Sequence, residues 1–133
     1  MIDHMTLHVS NYEQSKKQLL AALEPLGFAL IMELTQKEYA DLPAPFFCGM
    51  GPKGKAELWL RPAATKEVTP MHVAFRAQNR REVDAFYKAA MHADLRDNGA
   101  PGLREDYHPH YYAAFVLTKD GHNIEVVCHT PEA

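Results

Sequence analysis

Cysteine is scarce in this chain: two thiols, Cys48 and Cys128, in 133 residues make no disulfide framework. Both are expected to pack as small buried hydrophobes. Basic excess is missing as well. Against 14 Lys and Arg stand 17 Asp and Glu, a formal net charge of -3, so no overall positive field gathers phosphates and nucleic acid is excluded as a main partner. The opening residues, MIDHMTLHVS, hold no cationic stretch followed by a long apolar run. Neither a signal peptide nor a membrane span is expected there, and the expected location is cytoplasmic. What remains is 47% hydrophobic and 23% charged, the composition of one globular domain spanning 1–133, with eight histidines as its unusual feature.

Period-two alternation predicts a first strand over 2–9, with Ile2, His4, Thr6 and His8 on one side and Met5, Leu7 and Val9 on the other. Ser10 or Asn11 can cap a helix that Pro25 and Gly27 close, and strands are predicted at 28–34, 46–50 and 56–60. A Pro-bearing connector follows. The pattern then starts again, with a strand over 71–77, a helix over 80–91, a short extended piece from Leu95, a loop at 97–102 and strands at 112–117 and 123–128. His122, in the turn between the last two strands, is expected to be exposed.

An offset of 68 residues superimposes the two halves without a gap: His4 falls on His72, Asn11 on Asn79, Phe47 on Phe115 and Glu57 on Glu125. Two modules, approximately 1–66 and 67–133, are therefore expected, each ordered strand, helix, three strands. The expected fold is α+β: two βαβββ modules in a pseudo-twofold arrangement, their mixed sheets curled into a cup with the helices outside. His4, Glu57, His72 and Glu125 can all point into such a cup. Two imidazoles and two carboxylates suit one divalent first-row metal ion, and Ni, Co, Mn, Fe and Zn all fit these ligand types.

The segments Ile2-Asp3-His4-Met5-Thr6-Leu7-His8-Val9-Ser10, Met71-His72-Val73-Ala74-Phe75 and Asp120-Gly121-His122-Asn123-Ile124-Glu125-Val126 resemble the recurring segments of the vicinal oxygen chelate superfamily. That superfamily includes glyoxalase I, fosfomycin resistance enzymes, methylmalonyl-CoA epimerase, extradiol dioxygenases and bleomycin resistance proteins. The resemblance implies a metal ligand set of His4, Glu57, His72 and Glu125. At the second ligand a shift of two residues would bring Trp59 to the same face, while the 68-residue offset favours Glu57. The chain departs from glyoxalase I at His8, where an arginine often follows the first ligand, and at Thr69-Pro70-Met71 before His72. Both departures argue against a glutathione hemithioacetal substrate.

The function expected from these residues is a metal-dependent lyase or isomerase acting on a small substrate with two vicinal oxygens, through chelation and stabilisation of an enediolate. Glu125 or Glu57 would serve as general base, and Trp59, His108, His110, Tyr111 and Tyr112 would contact substrate. Two alternatives stand beside it: an Fe(II) dioxygenase of the extradiol type using two histidines and one glutamate, and a metal-free protein that binds an aromatic drug. A homodimer is expected from the resemblance and from the difficulty of closing two small curled sheets alone.

Overall fold

A computed structural model describes residues 1–65 and 67–132; Lys66, at the expected module boundary, and Ala133 lie outside the described residues. The first module contains β1 (Met5–Val9), α1 (Tyr12–Leu23), a 3-10 turn (Glu24–Leu26), β2 (Ala29–Thr35), β3 (Phe46–Gly51) and β4 (Leu58–Pro62). The second contains β5 (His72–Arg76), α2 (Arg80–His92), β6 (Arg96–Leu103), β7 (Tyr112–Leu117) and β8 (Asn123–Cys128). Each module builds one four-stranded mixed sheet, in the orders β1-β4-β3-β2 and β5-β8-β7-β6. In both, the first and last strands pair in parallel and the remaining neighbours are antiparallel. The two sheets and two helices are the α+β arrangement expected from the sequence.

The helices begin where their caps dictate. Asn11 Oδ1 accepts the N–H of Gln14 at 3.1 Å and Asn79 Oδ1 that of Glu82 at 2.9 Å, so the 68-residue offset pairs two working N-caps. Glu82 also accepts the N–H of Gln78, securing the start of α2. Tyr12, Ser15, Leu19, Ala22 and Leu23 of α1 are buried at helical spacing, as are Val83, Phe86 and Ala90 of α2. They meet Leu7, Val9, Leu58 and Leu60 of one sheet and Val73, Ile124, Val126 and Cys128 of the other in a shared apolar core. Strand residues of the opposite parity, among them Thr6, Trp59, Ala74, Phe115 and Glu125, face away from the helices.

Two expectations are corrected. Residues 97–102, read as loop from their Asn, Gly and Pro content, belong to β6, because an edge strand tolerates Pro101 and two register shifts absorb the glycines. His122 is buried, not exposed. Its Nδ1 accepts the N–H of Met71 at 3.0 Å, so the ring proton sits on Nε2, which donates to the carbonyl of His8 at 2.8 Å. One imidazole therefore ties the end of β1 to the entry of β5 across the two modules. Ser10 N–H adds a bond to Asp120 of the same hairpin.

Replacing His122 by Ala strands a backbone donor and a backbone acceptor and opens a cavity, which costs about 2–4 kcal/mol. Urea denaturation of the His122→Ala variant is expected to show that loss as a lowered midpoint with an unchanged slope.

Candidate functional site

On the face away from the helices, β5 carries His72, Ala74 and Arg76 and β8 carries Asn123, Glu125 and Val127, by alternation from their buried neighbours. Parallel pairing places Glu125 opposite Ala74, one pleat beyond His72, and the two side chains meet: His72 Nε2 lies 2.8 Å from Glu125 Oε1. The other oxygen of Glu125 accepts the hydroxyl of Tyr111. A carboxylate only 2% exposed needs such partners, since desolvation alone would penalise its charge. Burial and the bond to Glu125 push the Tyr111 phenol up to about 12, so it remains a donor through the neutral range.

Next to Tyr111 lies a histidine pair that the sequence reading missed in part. His108 Nδ1 accepts the N–H of His110, which leaves the His108 proton on Nε2, facing His129 Nδ1 at 2.5 Å. His129 in turn keeps its proton on Nε2, which has no partner among the described residues. The rings stack with centroids 4.7 Å apart, and Tyr111 stands edge-on to both. His129 lies two residues beyond Val127 and four beyond Glu125, so extending the period of β8 past Cys128 was the signal available for finding it. Burial, then the neighbouring His108 and Arg76, hold its pKa below the ordinary 6.5, with Glu125 opposing.

The first module supplies a different set. β1 pairs Thr6 with Trp59, and β3 pairs Gly49 with Trp59. Thr6 is the 68-residue counterpart of Ala74, whose partner is Glu125, so Trp59 occupies the position that corresponds to Glu125. Likewise Gly49, not Phe47, corresponds to Phe115, the antiparallel partner of Glu125. The indole packs on Gly49, where a Cβ would stand 3.0 Å from two of its ring atoms. Glu57 falls one residue before β4. It lines a groove of about 350 Å³ together with Ile2, Asp3, His4 and Met5 on one side and His72 to Phe75 on the other.

Of the residues singled out from sequence, His72, Glu125 and Tyr111 are in direct contact. His4 lines the groove beside His72, but its Nδ1 is bonded to Asp3 at 2.7 Å. Among the described residues no three His, Cys, Asp or Glu side chains are gathered as a metal-holding group. His110 is exposed and contributes its backbone amide. Tyr112 belongs to the helix side of the sheet, where its hydroxyl donates to Asp84 of α2 at 2.6 Å, so it is not brought to the groove. The donor set does fit a divalent cation in kind: two imidazoles and a buried carboxylate whose second oxygen is already held by a phenol.

The family model described as Glyoxalase/Bleomycin resistance protein/Dioxygenase superfamily matches residues 1–126. The chain belongs to that superfamily. Among solved structures, a glyoxalase/bleomycin resistance protein from Albidiferax ferrireducens superposes with a TM-score of 0.73 at 20% identity, covering 98% of this chain and 99% of that one. TioX from a Micromonospora species gives 0.68 at 12% identity over 98% and 99%. A mutant of the genomically encoded fosfomycin resistance protein FosX from Listeria monocytogenes, complexed with Mn(II) and 1S,2S-dihydroxypropylphosphonic acid, gives 0.65 at 16% identity over 96% and 88%. At these identities the likeness is one of fold. A search of curated proteins returns no significant match.

A pH dependence follows from His129. Because its folded pKa lies below 6.5, the unfolded chain takes up that proton first as pH falls. The contribution of His129 to stability is therefore fully present above pH 6.5 and is lost as pH drops through and below that value. NMR titration of the histidine ring protons is expected to give His129 a midpoint below 6.5, raised in an Arg76→Met variant, which removes one of the opposing charges.

Proposed function

We propose that this protein is a metal-dependent enzyme, a lyase or isomerase, that acts on a small substrate presenting two vicinal oxygens, with His4, His72 and Glu125 as the ligands of one divalent first-row ion. The observation that carries this reading is the contact between His72 and the buried Glu125, tied on its far side by Tyr111 and opening on the groove that His4 lines. His4 would complete the set by turning from the exposed Asp3, whose bond to it is between half-exposed side chains and cheap to give up. The pairing register supports three ligands over four, since Trp59 rather than Glu57 corresponds to Glu125.

When bound, the ion would supply charge stabilisation for a substrate oxygen that becomes negative. The protein's own groups do the rest. Tyr111 fixes the Glu125 carboxylate in one orientation by donating to it, which leaves the oxygen that meets His72 available to the ion. Glu57, on the opposite wall of the groove, is a carboxylate free to take a proton from carbon next to the chelating oxygens. The unpartnered Nε2–H of His129 is a donor for a substrate oxygen. Trp59, packed on Gly49, offers an apolar wall in the first module.

A second reading has a specific observation in its favour. Two histidines and one carboxylate with open positions are also the ligand pattern of non-haem Fe(II) oxygenases, so the exclusion of Glu57 by register supports an extradiol-type dioxygenase equally well on ligands alone. Oxygen uptake with a catechol separates it from the first.

Elemental mass spectrometry of protein purified without chelators is expected to find about one first-row ion per chain. His72→Ala and Glu125→Gln should each abolish it, while Glu57→Gln retains the ion and lowers turnover. Metal lost from Glu57→Gln as fully as from the other two would restore the four-ligand site, and no metal uptake by the wild type would overturn the reading.

A further inference from the structure

β6 carries glycine at two places that leave room for a side chain on the site face. Gly99 is the partner of Phe115, and a Cβ there would stand 3.0 Å from the Phe115 ring and 3.1 Å from Arg104 Nη2; at Gly102 it would stand 3.1 Å from Arg104 Nη1. The guanidinium of Arg104 fills that space, 5.4 Å from the centroid of Phe115. His72 lies against the same ring, at a centroid distance of 6.4 Å, and Glu125 is the cross-strand partner of Phe115. Arg104 and the His72–Glu125 pair therefore border one phenyl ring.

The donors of Arg104 are mostly unused. Nη2 donates to the carbonyl of Ala100 at 2.8 Å, which positions the group, and no carboxylate forms an ion pair with it among the described residues. A guanidinium has five N–H donors in a fixed fork that matches a carboxylate or phosphoryl group. Arg76, on the same face as His72 and close enough to depress the proton affinity of His129, adds a second positive charge to this side of the site and also lacks an ion pair there. Glu125, the cross-strand partner of Phe115, is already shared between His72 and Tyr111. Two arginines without an ion pair among the described residues therefore stand on this side of the site.

We infer that Arg104, held in the Gly99/Gly102 cradle over Phe115, anchors an anionic group of the substrate, carboxylate or phosphoryl, beside the His72–Glu125 pair. The inference rests on the proposed site for its second contact and names the substrate class: a vicinal-oxygen compound that is also an anion. With its carbon 5.4 Å from the Phe115 centroid and one bond to Ala100, the guanidinium keeps its other N–H groups for whatever binds there.

Three small probes share a vicinal oxygen pair and differ in charge: glycerol, glycerate and glycerol 3-phosphate. Binding to the whole protein is followed by NMR titration, with Mn(II) uptake measured on the same samples. Either anion is expected to bind about tenfold more tightly than glycerol, with the advantage shrinking as salt is raised. Which anion binds better identifies the group recognised. Arg104→Gln should abolish the advantage and leave glycerol binding and Mn(II) uptake unchanged, and Gly102→Val, which displaces the guanidinium without removing it, should do the same. Anions that bind no better than glycerol, or an advantage that survives Arg104→Gln, overturn the inference. If Mn(II) is not taken up but anion binding still depends on Arg104, the anchor stands while the metal reading falls. If Mn(II) is held and the preference ignores Arg104, the anchor alone falls.

Discussion

The parallel pairing between the first and last strand of each module is the constraint on which the site depends. It brings residues more than 50 positions apart onto adjacent strands, and its register decides which side chains share a pleat. In the second module that register sets Glu125 one pleat from His72, close enough for their side chains to meet across the strands. In the first it sets Trp59 at the corresponding place and leaves Glu57 before the strand begins. A slip of two residues keeps every side chain on its face but changes which one stands at the centre, so an acidic position becomes an aromatic one without any change in fold.

The modules have thereby specialised within one frame. The second holds the buried carboxylate, the phenol that satisfies it, the histidine pair and the two arginines, Arg76 and Arg104, that form no ion pair among the described residues. The first presents His4 and the indole wall. Glycines set the geometry in both: Gly49 lets Trp59 pack against β3, and Gly99 with Gly102 lets Arg104 lie over Phe115. In each case a missing side chain on one strand admits a larger group from elsewhere.

Polar groups are buried here only with partners. Glu125 has two donors, and His122 uses both ring nitrogens on backbone groups from opposite modules. The latter makes an imidazole into a fastener rather than a reactive group, although in sequence it sits three residues from Glu125 and looks like part of the same motif. Residues 97–102 teach a similar lesson: their composition favours a turn locally, but the hydrogen bonds offered by β7 outweigh that preference, and bulges at the glycines absorb the mismatch.

Alternation, caps and the repeat were legible in the sequence alone. They determined two βαβββ modules and the helix starts at Asn11 and Asn79, and they singled out His72 and Glu125 as candidates, because local periodicity and capping act over a few residues. The pairing of Trp59 rather than Glu57 with the Glu125 position, the placement of Tyr112 on the helix side and the convergence of His108, His129 and Arg104 on Tyr111 and Phe115 were decided by tertiary structure. Between the helix cap and the third strand the first module is two residues longer, and a gap-free offset passes over such an insertion. Strand pairing, which has to satisfy every backbone N–H and C=O, does not.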